Sequence, residues 1–220
     1  MGYLKFIIGT LWFISHLSFA SPTNPVDGLE YKTLASPQTV PNIGKKVEVI
    51  EFFMYHCPAC NLLEPQLLDW IKKQGDNIVF RRIHLPHNGS KDVESHLFLT
   101  LEALQKENDM HAKILATWHV QHLQLTTDAD NIEWAVNNGF DRQQFMDAYN
   151  SFSVMTKLQN LLHVSEGYHV NSTPALVIDG RYVIGPALIQ DNNKELKVDE
   201  LPKALLQVAD VLVEKAKAGK

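Results

Sequence analysis

Cys57-Pro58-Ala59-Cys60 holds the only two cysteines in a chain of 220 residues, and it stands where one kind of regular structure gives way to another. Residues 47–55 (VEVIEFFMY) are rich in β-branched and aromatic side chains with little alternation, the pattern of a strand buried on both faces. Residues 58–73 then place Leu62, Leu63, Leu67, Trp70 and Ile71 on an apolar helical face, and Gly75 is positioned to end it. Residues 78–85 (IVFRRIHL) read as a second strand. Strand, helix and strand of these lengths make a βαβ unit, normally right-handed with parallel strands.

The junction gives each residue of the motif a physical purpose. Pro58 suits the first helical position, where a missing N–H costs nothing. Cys57 then sits at the helix N-terminus, beside unpaired N–H groups and the positive end of the dipole, which stabilise a thiolate. Cys60 lies one turn on, so its sulfur can close a disulfide with Cys57 or resolve a mixed one. His56 adds a positive charge or a hydrogen bond. On spacing alone three readings stay open. The pair is redox-active, or it is half of a metal site, or it is an inert structural disulfide. The nearest further metal ligands, His56, His84 and His87, have no metal-like spacing.

Composition narrows the class. With 45% hydrophobic and 20% charged residues the chain is globular, neither disordered nor a polytopic membrane protein. A net charge of −5 argues against a nucleic-acid binder, and two cysteines are too few for a disulfide-stapled scaffold. Residues 1–20 have the form of a secretory signal: a single charge at Lys5, an apolar run over residues 6–17, and Ser18-Phe19-Ala20 as a small-x-small cleavage site. Cleavage after Ala20 sends the chain to an oxidising compartment.

Beyond the signal, residues 21–28 read as a loose polar arm and residues 31–34 as a short strand. From about residue 90 to 168 the strand signal fades, and apolar residues recur at helical spacing over four or five helices. Asp141 and Gln144 have the form of a capping box. His119 and His122, three apart, read as a solvated helix face. Strands return at residues 175–178 and 182–184 around Asp179-Gly180, a hairpin turn. Leu201, Leu205, Val208 and Leu212 mark an amphipathic terminal helix. Ser172-Thr173-Pro174-Ala175 opens the first returning strand, a place where a proline can be cis.

The stretches EFFMYHCPACNLLEP and TPALVIDGRY, with helices between them, resemble the DsbA family of thioredoxin-fold oxidoreductases over nearly the whole chain after the signal. The resemblance implies an α/β thioredoxin fold with an inserted all-helical domain: residues 21–88 and 169–220 form the thioredoxin-like part and residues 89–168 the insertion. It implies a periplasmic enzyme that introduces disulfide bonds into reduced or unfolded exported proteins, with no cofactor, no metal and no nucleic acid. A membrane quinone-linked reoxidant of the DsbB type restores the disulfide. By the same resemblance Cys57 is the exposed nucleophile and Cys60 the buried resolving cysteine. Pro174 is the cis proline facing them, and Thr173 offers its backbone to an extended substrate. Glu51 is the acidic residue beneath the site, where a buried carboxylate can relay the proton of Cys60. His56, Pro58 and Ala59 support the cysteines.

Three departures from the family pattern stand out. Ala59 replaces a histidine, Thr173 precedes the proline as it does in isomerases and reductases of this fold, and Arg82 stands where the best-known member has a lysine. Arginine can bias a proton relay but cannot join it. An isomerase or reductase on the same fold, and a thiol metal-binding or chaperone module, are the alternatives.

Overall fold

The computed structural model describes residues 21–41 and 43–219; the signal sequence lies outside the described residues. In chain order the elements are β1 (Lys32–Thr33), β2 (Val47–Phe53), α1 (Pro58–Gln74), β3 (Ile78–His84), α2 (Val93–Ala103), α3 (Glu107–His119), α4 (Asp128–Asn137), α5 (Arg142–Tyr149), α6 (Phe152–Gly167), β4 (Ala175–Ile178), β5 (Tyr182–Ile184), α7 (Pro186–Asn192) and α8 (Leu201–Ala218). The sheet order is β1-β5-β4-β2-β3. β2 pairs parallel with β3 and antiparallel with β4, so every residue of β2 is buried, as its unbroken apolar run requires.

The sheet divides the core. On one face Val47, Val49, Leu176 and Ile178 pack against α1 and α8 through Leu63, Leu67, Trp70, Leu205 and Leu212. On the other, Ile50, Phe52 and Val177 join the apolar residues of the segment between β3 and β4. α2 to α6 all lie in that segment. The Asp179-Gly180 turn forms as its sequence demands, with both residues at positive φ and the Arg181 N–H closing on the Ile178 carbonyl at 3.0 Å.

Several details differ from the sequence reading. Leu62 is 42% exposed while Glu64 is 6% exposed. The inward stripe of α1 runs Cys60, Leu63, Glu64, Leu67 and Trp70, a spacing of threes and fours that leaves Leu62 to one side. The arm is tied down: Asp27 accepts from both the backbone N–H and the hydroxyl of Thr33. Asp141 caps α5 through the Gln144 N–H, but the reciprocal capping box lies at Thr127 and Asp130 of α4. α7, seven residues with Pro186 in its first turn, carried no sequence signal beyond that proline.

Asp92 anchors the start of α2. Its Oδ1 accepts from Ser95 N–H at 2.7 Å, and its Oδ2 from His87 N–H at 2.9 Å and Asn88 N–H at 3.1 Å. Asp92→Ala removes a buried cap and leaves three donors unpaired, so it should cost about 2 kcal/mol, seen as a lower urea midpoint with an unchanged slope.

Candidate active site

Cys57 is the N-cap of α1, in extended backbone, with Pro58 in the first turn. The Cys60 N–H points at Cys57 Sγ at 3.4 Å, and Cys57 Sγ donates to the Thr173 carbonyl at 3.6 Å. Both thiols are free. Cys57 is 7% exposed and Cys60 2%, so the expected exposed nucleophile is itself nearly buried, covered by Thr173 across from it. The hydrogen bond from the Cys60 thiol, overcoming the opposing effect of burial, together with the Thr173 side chain and the Cys60 and Ala59 N–H groups, lowers the Cys57 thiol to about 5. Burial and the neighbouring Cys57 sulfur push Cys60 far the other way. The two thiols are thus prepared for opposite states, one ionised and one protonated.

The Thr173–Pro174 peptide is cis and stands against Cys57 through the Thr173 carbonyl. A groove of about 260 Å³ with almost no polar lining runs from Pro58, Ala59 and Pro174 past Leu62 to Val198 and Pro202. The exposed Leu62 therefore has a place: it walls this groove.

Beneath the cysteines the β2–β3 register sets Arg82 opposite Glu51. Arg82 Nε donates to Glu51 Oε2 at 2.9 Å, and its Nη2 donates to both oxygens of Glu64 at 3.0 and 3.1 Å. Its Nη1 lies 3.6 Å from Glu107 on α3. Burial raises the Glu51 carboxyl above its ordinary range even though Arg82 opposes it. Burial would raise Glu64 too, but His111 and Arg82 outweigh it and hold that group down. Glu51, Glu64 and His111 have ligand atoms within 4.8 Å of one another, as a metal site would need. The guanidinium already binds both carboxylates, and its permanent charge opposes a cation there.

His56 is tied to α2. Its Nδ1 bonds Glu94 Oε1 of α2, and its backbone N–H donates to Glu94 Oε2 at 3.1 Å. The Glu94 bond, opposed by burial, raises the imidazole. Burial alone would raise Glu94, but bonds from His56 and His84 hold it at about 2. His119 corrects the expectation of a solvated face: its Nε2 lies 2.9 Å from the Tyr55 carbonyl. The structure places Cys57, Cys60, Thr173 and Pro174 side by side, with Glu51 near enough to act on Cys60. It places Arg82 of β3, already marked as a departure from the family pattern, between Glu51 and Glu64, and it adds Glu64, Glu94, Glu107, His111 and His119. These five are polar residues on helices and carry no signal that separates them from a solvated face.

A thioredoxin fold whose C-x-x-C caps a helix and faces a proline loop defines the class: a thioredoxin-superfamily redox protein. A family model described as thioredoxin matches residues 42–201. The chain is 35% identical over 184 residues to the thiol:disulfide interchange protein DsbA of Burkholderia cepacia, covering 84% of this chain and 87% of that one. It is 32% identical to DsbA of Pseudomonas aeruginosa over 194 residues, 87% of this chain and 86% of the relative. The crystal structure of Pseudomonas aeruginosa DsbA superposes with a TM-score of 0.75 at 30% identity, covering 87% of this chain and 94% of that one. The chain belongs to the DsbA-like thiol:disulfide oxidoreductases.

Proposed function

We propose that this protein is a periplasmic donor of disulfide bonds to exported proteins. The observation that carries the reading is the placement of Cys57 at the cap of α1, with the Cys60 N–H 3.4 Å from its Sγ, an environment that lowers its thiol to about 5. A thiolate this stable is a good leaving group and favours the reduced form of the pair, so the disulfide form oxidises others. The DsbA family is itself the reference case for this relation.

Residues 21–88 and 169–220 act as the thioredoxin-like domain and residues 89–168 as the inserted helical domain. A substrate thiolate attacks Cys57 Sγ; the Cys57–Cys60 bond breaks and its electron pair leaves on Cys60. Glu51 supplies the proton that Cys60 needs. A second substrate thiolate then attacks the substrate sulfur of the mixed disulfide, and Cys57 leaves as thiolate. The substrate gains a disulfide and the enzyme holds two reduced cysteines. The Thr173 backbone beside the cis Pro174 supports the substrate as an added strand, and the groove walled by Leu62 takes its apolar side chains. His56, Pro58 and Ala59 shape the cap. A quinone-linked membrane reoxidant of the DsbB type restores the disulfide. Among the described residues no helix is long and apolar enough to cross a membrane, and export relies on the signal over residues 1–20, cleaved after Ala20.

The test is the reduction potential of the Cys57/Cys60 pair across glutathione buffers. A value at or above roughly −150 mV is expected for a donor. A value near roughly −200 mV would make the protein an isomerase or shuttle, and one below roughly −250 mV a reductant. Failure to exchange with glutathione would replace the redox reading with a metal-binding one.

A further inference from the structure

His111 lies on α3, outside the thioredoxin elements, yet it is 2% exposed and sits against the charge cluster below Cys60. Its Nε2 is 3.5 Å from Glu64 Oε2 and its Nδ1 3.2 Å from Glu107 Oε1. The groups facing it are Glu107 from α3, Glu64 from α1, Arg82 from β3 and Glu51 from β2. The rings of Phe53 and Tyr55 close the remaining sides at 4.8 and 5.5 Å. On the far side of the cluster, Arg82 and Glu107 line a polar cavity of about 260 Å³ shared with Glu102, Gln105 and Asn108. Cys60 and Glu51 are 2% and 1% exposed, so a proton consumed there needs a route.

We infer that His111, with Glu107, forms the outer half of a proton relay that begins at Cys60 and Glu51, so that a helix inserted between β3 and β4 takes part in the thiol chemistry. The inference rests on the disulfide-exchange reading above. When a substrate thiolate bonds to Cys57 Sγ, the Cys57–Cys60 bond breaks and Cys60 leaves with the electron pair. The Glu51 carboxyl protonates it. The Glu51 carboxylate left behind takes a proton from the His111 imidazolium across a gap of at most 4.8 Å, a distance that proton transfer through a single bridging water can cover. His111 recovers its proton from solvent by way of Glu107 and the cavity. Reoxidation runs the same steps backwards.

The charges suit this traffic. Burial lowers His111, but Glu107 and Glu64 outweigh it and raise the imidazole above its ordinary value. With Glu51 neutral and His111 protonated, Arg82 and His111 balance Glu64 and Glu107. Arg82 cannot release a proton, so it holds the carboxylates without short-circuiting the relay.

The experiment follows reduced protein with glutathione disulfide by stopped flow between pH 5 and 8. The first step, attack by Cys57, uses no buried proton. The second, displacement of glutathione by Cys60, requires Cys60 to lose one. In His111→Gln the first step should stay within about twofold, whereas the second should slow about tenfold and change its pH profile. Glu107→Gln should slow the second step several-fold. In a Glu51→Gln background His111→Gln should add no further loss, since both lie on one route. An unchanged second step in His111→Gln, or losses that multiply with Glu51→Gln, would overturn the relay while leaving disulfide exchange intact. Should His111→Gln fail to fold, an unchanged second step in Glu107→Gln overturns it equally. A wild-type protein inert to glutathione would overturn the exchange reading and the relay with it.

Discussion

Cys57→Ser should abolish disulfide exchange, and with it a thiolate absorbance at 240 nm that the reduced wild-type protein acquires with a midpoint near pH 5. Cys60 cannot substitute, because it is only 2% exposed and burial keeps its thiol protonated. The same ionisation sets the pH dependence of stability. The Cys57 thiol falls from an ordinary 9.0 to about 5 in the folded chain. Its contribution is therefore complete above pH 9, declines as pH falls, and is gone below about pH 5. At pH 7 it amounts to on the order of 2–3 kcal/mol. Urea titrations of reduced protein should show this loss between pH 8 and pH 4. Oxidised protein and Cys57→Ser should not. If reduced and oxidised protein had parallel pH profiles, Cys57 would not be the ionised group.

Arg82→Met should be the most damaging change outside the cysteines. Arg82 is 7% exposed, and its loss leaves Glu51 and Glu64 buried without the partner that binds both. Removing one side of a buried charge cluster costs about 3–5 kcal/mol, which for a domain of this length lowers the melting temperature by roughly 10 °C. The deficit should shrink at pH 5, because the stranded carboxylates then take up protons and shed their charge. Arg82→Lys should recover part of it, keeping the charge but losing the fork that reaches two carboxylates. Equal melting temperatures for Arg82→Met and wild type at pH 7 would mean the cluster is not held by its arginine.

The chemical core of the site was legible because each part breaks a local rule. A polar Glu51 stands in an apolar strand, two cysteines sit one turn apart behind a strand, and a proline opens another strand. What escaped was contributed by helices that meet only in three dimensions. Glu64 looks like any surface glutamate between Leu63 and Pro65, and its burial follows from the fall of α1 against β3. His111 and Glu107 belong to α3, more than twenty residues past β3 in the chain. His119 reads as solvated because no periodicity reveals that the Tyr55 carbonyl lies opposite it. The fold order was readable for a different reason. Continuous apolar runs, a capped helix and an Asp-Gly turn each specify their element locally, whereas α7 has only Pro186 to announce it.

The turn that carries Tyr55 and His56 into Cys57 is held from outside the thioredoxin elements. Glu94 of α2 receives the His56 N–H and His119 of α3 meets the Tyr55 carbonyl. The helical segment is thus no detachable module. An engineer who excised residues 89–168 to obtain a minimal redox scaffold would unhitch the active-site backbone along with the excised mass. The backbone that leads into the C-x-x-C is thereby set in part by Glu94 and His119, residues far from the motif in sequence.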